Sequence, residues 1–207
     1  RNGWQPSLQA ESVQDNWLVL GRRFETHGKI WQRRTWLKGE QTGRFALLED
    51  QVSGRHTLIA NLPTHAVVSG KFLFDAGTLG AAGRFDKNSM SVNPITRSND
   101  VQASTLSDIE RAYVSTLTQN PWLPAWPVEL NQVLLQFDRS YKRWLLIDDS
   151  GHAIQATNLT DSGWYLLATG QGKPMTLFGE WTADGLAILS ARLDNGWRDL
   201  SVWGSRL

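Results

Sequence analysis

Trp17-Leu18-Val19-Leu20 is a short apolar run that stops at Gly21, and Lys29 to Leu37 is a second run rich in aromatic and long side chains. Between them stands His27-Gly28, a pair suited to a hairpin turn. The two runs read as antiparallel strands. The same pattern continues outward. Arg44 to Glu49 enters through Gly43, and Thr57 to Leu62 and Ala66 to Phe74 follow, with Pro63 and Gly70 as breaks. Strands so closely spaced point to a barrel or a sandwich.

The rest of the chain extends this reading. Trp4, Leu8 and Val13 are loosely helical in spacing, so residues 4–14 read as a short lead-in helix with Pro6 near its start. Residues 80–103, rich in Gly, Ser and Asn, read as a long loop with one weak strand at most. Residues 104–119 carry the strongest helix pattern. Ser107-Asp108-Ile109-Glu110 fits a capping box, and Leu106, Ile109, Tyr113 and Leu117 make one apolar face. Asn120-Pro121 stops it, and Pro121, Pro124 and Pro127 hold an extended segment bearing Trp122 and Trp126. Gln132 to Phe137, Arg143 to Ile147, Trp164 to Thr169, Met175 to Trp181 and Leu186 to Leu193 then read as strands. Asp149-Ser150-Gly151, Gly170-Gln171-Gly172 and Asp184-Gly185 mark turns.

The expected fold is therefore mainly β: two small antiparallel β-barrels or sandwiches with one amphipathic connecting helix. Residues 1–103 form an N-terminal β-rich subdomain; residues 104–207 carry the helix and a C-terminal β-rich subdomain. The chain has 11 Trp, and most of these indoles are expected at the junction of the two sheets. Trp17-Leu18-Val19-Leu20 also echoes Trp144-Leu145-Leu146-Ile147, a short sign of internal duplication.

Composition excludes several function classes. Lys and Arg total 21 against 20 Asp and Glu, so the basic excess usual in phosphate-binding proteins is missing. There is no Cys, which removes disulfides, thiolate nucleophiles and Cys-ligated zinc. No apolar run approaches the roughly 18 residues of a membrane span. A cytoplasmic location is expected. The chain starts at Arg1 rather than Met, which points to a missing upstream part.

Two constellations stand out. On a strand, Trp31 and Arg33 share one face and Arg34 and Trp36 the other. The structural reading is Arg packed over Trp, with Glu25 or Glu40 as partner. The functional reading is a platform where bases stack on Trp and Arg meets phosphate. Glu180, beside Trp181, is the second. A Glu against Trp can serve as an acid, with Asp148, Asp149 or Asp184 as the second carboxylate. More simply, Glu180 accepts from an indole N–H or pairs with an Arg. Asp149 and Asp184 read as turn residues. His27, His56, His65 and His152 lack metal-ligand spacing. Gly170-Gln171-Gly172-Lys173-Pro174 lacks the phosphate-loop spacing, and no nucleophile elbow occurs. Asn158-Leu159-Thr160 matches a glycosylation sequon, discounted because nothing else suggests secretion.

Four stretches carry a family resemblance. They are Trp17-Leu18-Val19-Leu20-Gly21-Arg22 with Trp31 to Leu37, Gly43 to Leu48, Trp164 to Ala168 with Leu177 to Trp181, and Asn120-Pro121-Trp122. In this order they resemble the region downstream of the zinc finger in bacterial SWIM zinc-finger proteins, over roughly residues 15–190. The resemblance implies an upstream Cys-x-Cys…Cys-x-His module. Without Cys, no zinc ligand carries over to this chain, and the DNA or protein binding proposed for that module belongs to the missing part. The chain departs from the family at Phe72-Leu73-Phe74-Asp75 and Leu79-Gly80-Ala81, where an aromatic-Tyr-Pro string and a Leu-Arg-Ala string are usual.

The resulting expectation is a non-catalytic protein-interaction segment of a larger SWIM-type protein, with a protein partner, no membrane and no cofactor of its own. Its binding residues would be Trp31, Arg33, Arg34, Trp36, Glu180 and Trp181. Two alternatives stand beside it: single-stranded nucleic-acid binding through the Arg/Trp strand face, and a hydrolase with Glu180 as acid.

Overall fold

A computed structural model of the chain describes residues 11–53, 62–75, 81–86, 88–93, 105–121, 123, 125–194 and 196–201. It is mainly β, and the described residues form two six-stranded sheets and two helices. The first sheet holds β1 (Ser12–His27), β2 (Ile30–Gly39), β3 (Phe45–Ser53), β4 (Val67–Phe74), β5 (Ala82–Phe85) and β6 (Ser91–Asn93). Helix α1 (Leu106–Gln119) follows. The second sheet holds β7 (Trp126–Asp138), β8 (Arg143–Ile147), β9 (Ala153–Ala156), β10 (Met175–Thr182), β11 (Gly185–Leu193) and β12 (Gly196–Asp199), with α2 (Asp161–Gly170) between β9 and β10.

The pairings of each sheet close on themselves. In the first, β1–β2 and β2–β3 are antiparallel, β3–β5 parallel, and β5–β4 and β4–β1 antiparallel. In the second, β7–β8 and β8–β9 are antiparallel, β9–β11 parallel through Leu186 and Ala156, and β11–β10 and β10–β7 antiparallel. The order is the same, and it is that of a partly open, five-stranded Greek-key circuit of the OB type. The repeat lies in the pairing order. Trp17 to Leu20 sits on β1, whereas Trp144 to Ile147 sits on β8, so the sequence echo joins non-equivalent strands.

In both circuits the long first strand changes partner at a kink. β1 pairs β4 through Leu18 and β2 from Trp17 onward, with a bulge between Val19 and Gly21. A Cβ on Gly21 would lie 2.8 Å from Leu189 Cβ, so only glycine lets β1 approach β11 this closely. β7 turns from β10 to β8 beside Gln132, whose φ is 56°.

Each circuit has its own core. Trp17, Val19, Leu37, Phe72, Phe74 and Phe85 fill the first, and the Trp17 indole donates to the Gly70 carbonyl at 3.0 Å. The second is built on Leu130, Val133, Leu135, Trp144, Leu146, Leu177 and Ile188, and α1 adds Leu106 and Ile109 to it. A third cluster joins the two: Leu18, Leu20, Trp36, Leu47 and Val67 from one side, Ala125, Phe178 and Leu189 from the other. Of the tryptophans described, Trp36 and Trp197 reach this seam, while Trp17 and Trp144 fill separate cores. The expectation that most indoles gather at the junction is overturned. Each circuit needs large side chains of its own to fill a closed interior.

Other expectations change as well. Residues 12–14 belong to β1, not to a lead-in helix; residues 4–10 lie outside the described set, as do residues 57–61 of the expected strand at Thr57 to Leu62. Gly70 does not break β4; it lies mid-strand, where a Cβ would meet the Ser89 carbonyl at 3.2 Å. The loop expected at residues 80–103 contains β5 and β6, and β9 and β12 were not foreseen. The cap of α1 is Thr105, which accepts from the Asp108 N–H at 3.1 Å, two residues before the expected Ser107. Trp164 to Thr169 is helical. Ser162, Gly163 and Leu166 are its buried residues, a helical spacing that a short apolar run hides. Gly163 lets the helix backbone lie on the Trp144 ring, for a Cβ there would sit 2.4 Å from it.

One side chain completes the second sheet. β9 meets β11 at Leu186 and β12 meets it from Ser190, on the same edge. In the gap, Asn158 Nδ2 donates to the Ile188 carbonyl and its Oδ1 accepts from the Ile188 N–H, both at 2.7 Å. The sequon asparagine thus acts as a one-residue strand. Asn158→Ala strips partners from two backbone groups, and we expect it to lower stability by about 1–3 kcal/mol in urea unfolding. A loss below a few tenths of a kcal/mol would refute this role.

Candidate functional site

The seam between the circuits is built by strand alternation. On β2, Thr35 and Leu37 turn into the first barrel, so Arg34 and Trp36 turn outward. On β10, Phe178 and Glu180 turn toward them. Glu180 is 0% exposed. Its Oε1 accepts from Arg34 Nη2 at 2.7 Å and Arg23 Nη1 at 3.1 Å, and its Oε2 accepts from the Trp36 indole at 2.8 Å. Glu25 binds the same two arginines, at 2.9 Å from Arg34 Nη2 and 2.9 Å from Arg23 Nε. Two guanidiniums and two carboxylates therefore balance inside the seam. Around them Ser190 Oγ donates to the Leu20 carbonyl at 2.7 Å, and Lys38–Glu129 and Arg22–Asp199 pair across it.

The structure thus brings Arg34, Trp36 and Glu180 together and separates the other residues singled out in the sequence. Arg33 is buried and pairs with Asp50, directly opposite on β3, through Nε at 3.0 Å and Nη2 at 2.6 Å. Trp31 is 45% exposed near the tip of the β1–β2 hairpin. Trp181 stacks on Tyr113 of α1 at 5.1 Å. The Arg/Trp face expected to receive bases is not an open platform: Arg34 and Trp36 are buried because the second circuit covers their face of β2, and Arg33, on the other face, is buried beside Asp50. Glu180 faces Arg23, Arg34 and Trp36. Asp149 and Asp184 stand in turns as expected, and the neighbouring Asp148 is the carboxylate that bonds turn backbone. It accepts from Ser150 Oγ at 2.6 Å and from the backbone of Ser150, His152 and Leu106, each at 3.0 Å, and so anchors α1. The Ser150 hydroxyl and these N–H groups hold its carboxyl below the usual range.

His65 carried no sequence signal. It adopts a left-handed φ of 66°, is buried, and stacks on Trp197 of β12 with centroids 4.0 Å apart. Neither ring nitrogen has a partner. Burial pushes its pKa from 6.5 to about 3, against the opposing pull of Asp199. Burial raises the Asp199 carboxyl, but hydrogen bonds from Arg22, Ser201 and Thr64 outweigh it and leave it lowered.

Among the described residues, no hydrophobic cluster takes in the outer strand face of β7, β8 and β9. Leu134 of β7 pairs with Ile147 of β8, and Gln136 with Leu145; Ala153 and Gln155 of β9 continue the two rows. Leu134 is 38% exposed, and Leu145 and Ile147 are half-buried. At one end lies the β7–β8 turn, where Arg143 sits over the Tyr141 ring at 4.9 Å. A cleft of about 690 Å³ lies elsewhere, lined by Asn131, Lys173, Thr176, Arg192 and Trp197; Asn131 and Thr176 bond each other at 2.8 Å. Among the described residues no cluster of three His, Asp or Glu could hold a metal, and no helix is long and apolar enough to cross a membrane. No family model, curated protein or solved structure matches the chain.

Two outcomes follow from the seam. Glu180→Leu leaves the buried Arg34 and the half-buried Arg23 with Glu25 alone as counter-charge and should cost about 3–5 kcal/mol in urea unfolding, whereas Arg34→Met with Glu180→Leu should cost less than the two single changes summed. Strict additivity would show that the pair is uncoupled. For His65, the depressed folded value means that the unfolded chain takes up its proton first. Its contribution is whole above pH 6.5 and is lost toward pH 3, at up to about 1.4 kcal/mol per pH unit. The lowered carboxylates act only nearer their own range. Between pH 6.5 and 4.5, His65→Asn should flatten the stability curve; an unchanged slope there would exclude His65 as its source.

Proposed function

We propose that this chain is a non-catalytic protein-docking segment of a larger bacterial SWIM-type protein, and that it presents the outer face of β7–β8–β9 to a protein partner. The family reading rests on the Trp-rich motifs quoted above; its zinc module would precede Arg1, and this segment needs no cofactor. The lack of Cys suits a reducing compartment, so we propose the cytoplasm.

One observation carries the docking reading. Within this molecule the outer face of the first three strands of a circuit is already an interface: β1–β2–β3 of the first circuit receives β10–β11 of the second through Leu18, Trp36 and Leu47. The second circuit has the same pairing order, and its corresponding face carries exposed Leu134 beside half-buried Leu145 and Ile147. Paired apolar side chains on an outer strand face lose free energy to water and regain it on contact, at roughly 25 cal/mol per Å² of apolar surface removed. Rigid fixation of the two circuits by the charged seam keeps that face formed before a partner arrives, which lowers the entropy cost of binding.

Affinity capture with the tagged full-length protein tests this. A partner retained by the unaltered protein should be lost with Leu134→Asp combined with Ile147→Asp, while the unfolding midpoint holds, since both sites lie on the outer face. Retention of every partner by the doubly substituted protein would sink the proposal.

A further inference from the structure

We infer that the occupant of the β7–β8–β9 face is an acidic, extended protein segment whose carboxylates meet the cations of the β7–β8 turn. This rests on the docking reading above and adds the chemistry of the partner.

The turn runs Asp138-Arg139-Ser140-Tyr141-Lys142-Arg143. It carries three cations against one carboxylate. That carboxylate is engaged locally: Asp138 Oδ1 accepts from the N–H groups of Ser140 at 3.0 Å and Tyr141 at 3.2 Å, and Oδ2 lies 3.3 Å from Arg143 Nε. Arg139 and Lys142 are exposed. Lys142 takes a left-handed φ of 51°, and Arg143 is braced by the Tyr141 ring beneath it. The turn is thus a formed basic pole at one end of a strand face whose rows mix Leu134, Leu145 and Ile147 with Gln136 and Gln155.

The seam supplies the precedent for what such a face receives. There, outward cations of the second strand meet carboxylates of the second circuit: Arg34 meets Glu180 of β10, and Lys38 meets Glu129 of β7. β8 holds the same place in its circuit as β2. Arg143 is its outward cation, and Leu145 and Ile147 follow at the alternate positions that an extended segment would cover.

A nucleic acid fits less well. Tyr141 is 74% exposed and could stack a base. But the opposite end of the same strands carries Asp149 and the Glu110–His152 pair, so a phosphate backbone running along the face would meet carboxylates. A single basic pole suits an acidic group at one end of an otherwise apolar segment.

The test titrates the isotopically labelled 207-residue chain with a peptide alternating Leu and Glu over about ten residues, near the upper length of a common strand. A Leu/Lys peptide and oligothymidylate of similar length serve as alternatives. The acidic peptide should shift the amide resonances of the turn and of Leu145 and Ile147, weaken with added salt, and lose roughly tenfold or more in affinity with Arg139→Glu plus Lys142→Glu. Both positions are exposed, and an unchanged unfolding midpoint confirms that the fold survives. Equal binding by the charge-reversed chain, or no binding of the acidic peptide, overturns the inference. Tighter binding of oligothymidylate at this turn overturns it in favour of nucleic acid. The two readings fail separately. If partner capture survives charge reversal but not Ile147→Asp with Leu134→Asp, docking stands and the acidic partner falls. If capture survives both, the docking face itself falls.

Discussion

The architecture depends on one buried carboxylate. Glu180 sits where two closed strand circuits meet, with both oxygens facing donors supplied by the other circuit. An ion taken from water costs several kcal/mol unless its partners are well placed. Here a second carboxylate, Glu25, shares the same arginines, so the charges balance. Such a network contributes less to net stability than to register. Leu18, Leu47, Phe178 and Leu189 would tolerate sliding; the Arg34 Nη2 shared by Glu25 and Glu180 and the single N–H of Trp36 would not.

That fixation explains why the most conspicuous residues of the sequence are not on the surface. The Arg/Trp strand is a binding face, but its ligand is the other half of the same chain. The face that packs internally in the first circuit belongs, in the second, to no hydrophobic cluster among the described residues, and a basic turn stands at one end of it. α1 contributes Leu106 and Ile109 to the second core and is tied to the β8–β9 turn through Asp148, while α2 lies against Trp144.

Much of this was legible from local pattern. The hairpin turn at Gly28, the strands β2, β3, β4, β8, β10 and β11, and the body of α1 follow from alternation, turn residues and helical spacing. The failures share a cause. Trp164 to Thr169 is an apolar run whose period is too short to separate strand from helix, and the contact that decides it, Gly163 against Trp144, lies far away in sequence. β5, β6, β9 and β12 span only three or four residues each, and such short strands exist because a neighbour offers an edge. Asn158 and His65 act through partners that no spacing rule connects to them.

The sequence by itself determined the β-rich class, the central helix, the placement of Arg34 with Trp36 on one strand face, and the short list of chemical partners open to Glu180. Alternation is a property of the backbone, and the donors a carboxylate will accept are a property of its oxygens; neither needs a fold. Only the tertiary structure decided that each set of strands closes into the same circuit and that Glu180 is buried against the other half. Circuit closure pairs strands tens of positions apart, and the seam joins Arg34 to Glu180, 146 positions apart. Their energy comes from surface removed from water after the strands have met, and no local pattern records that.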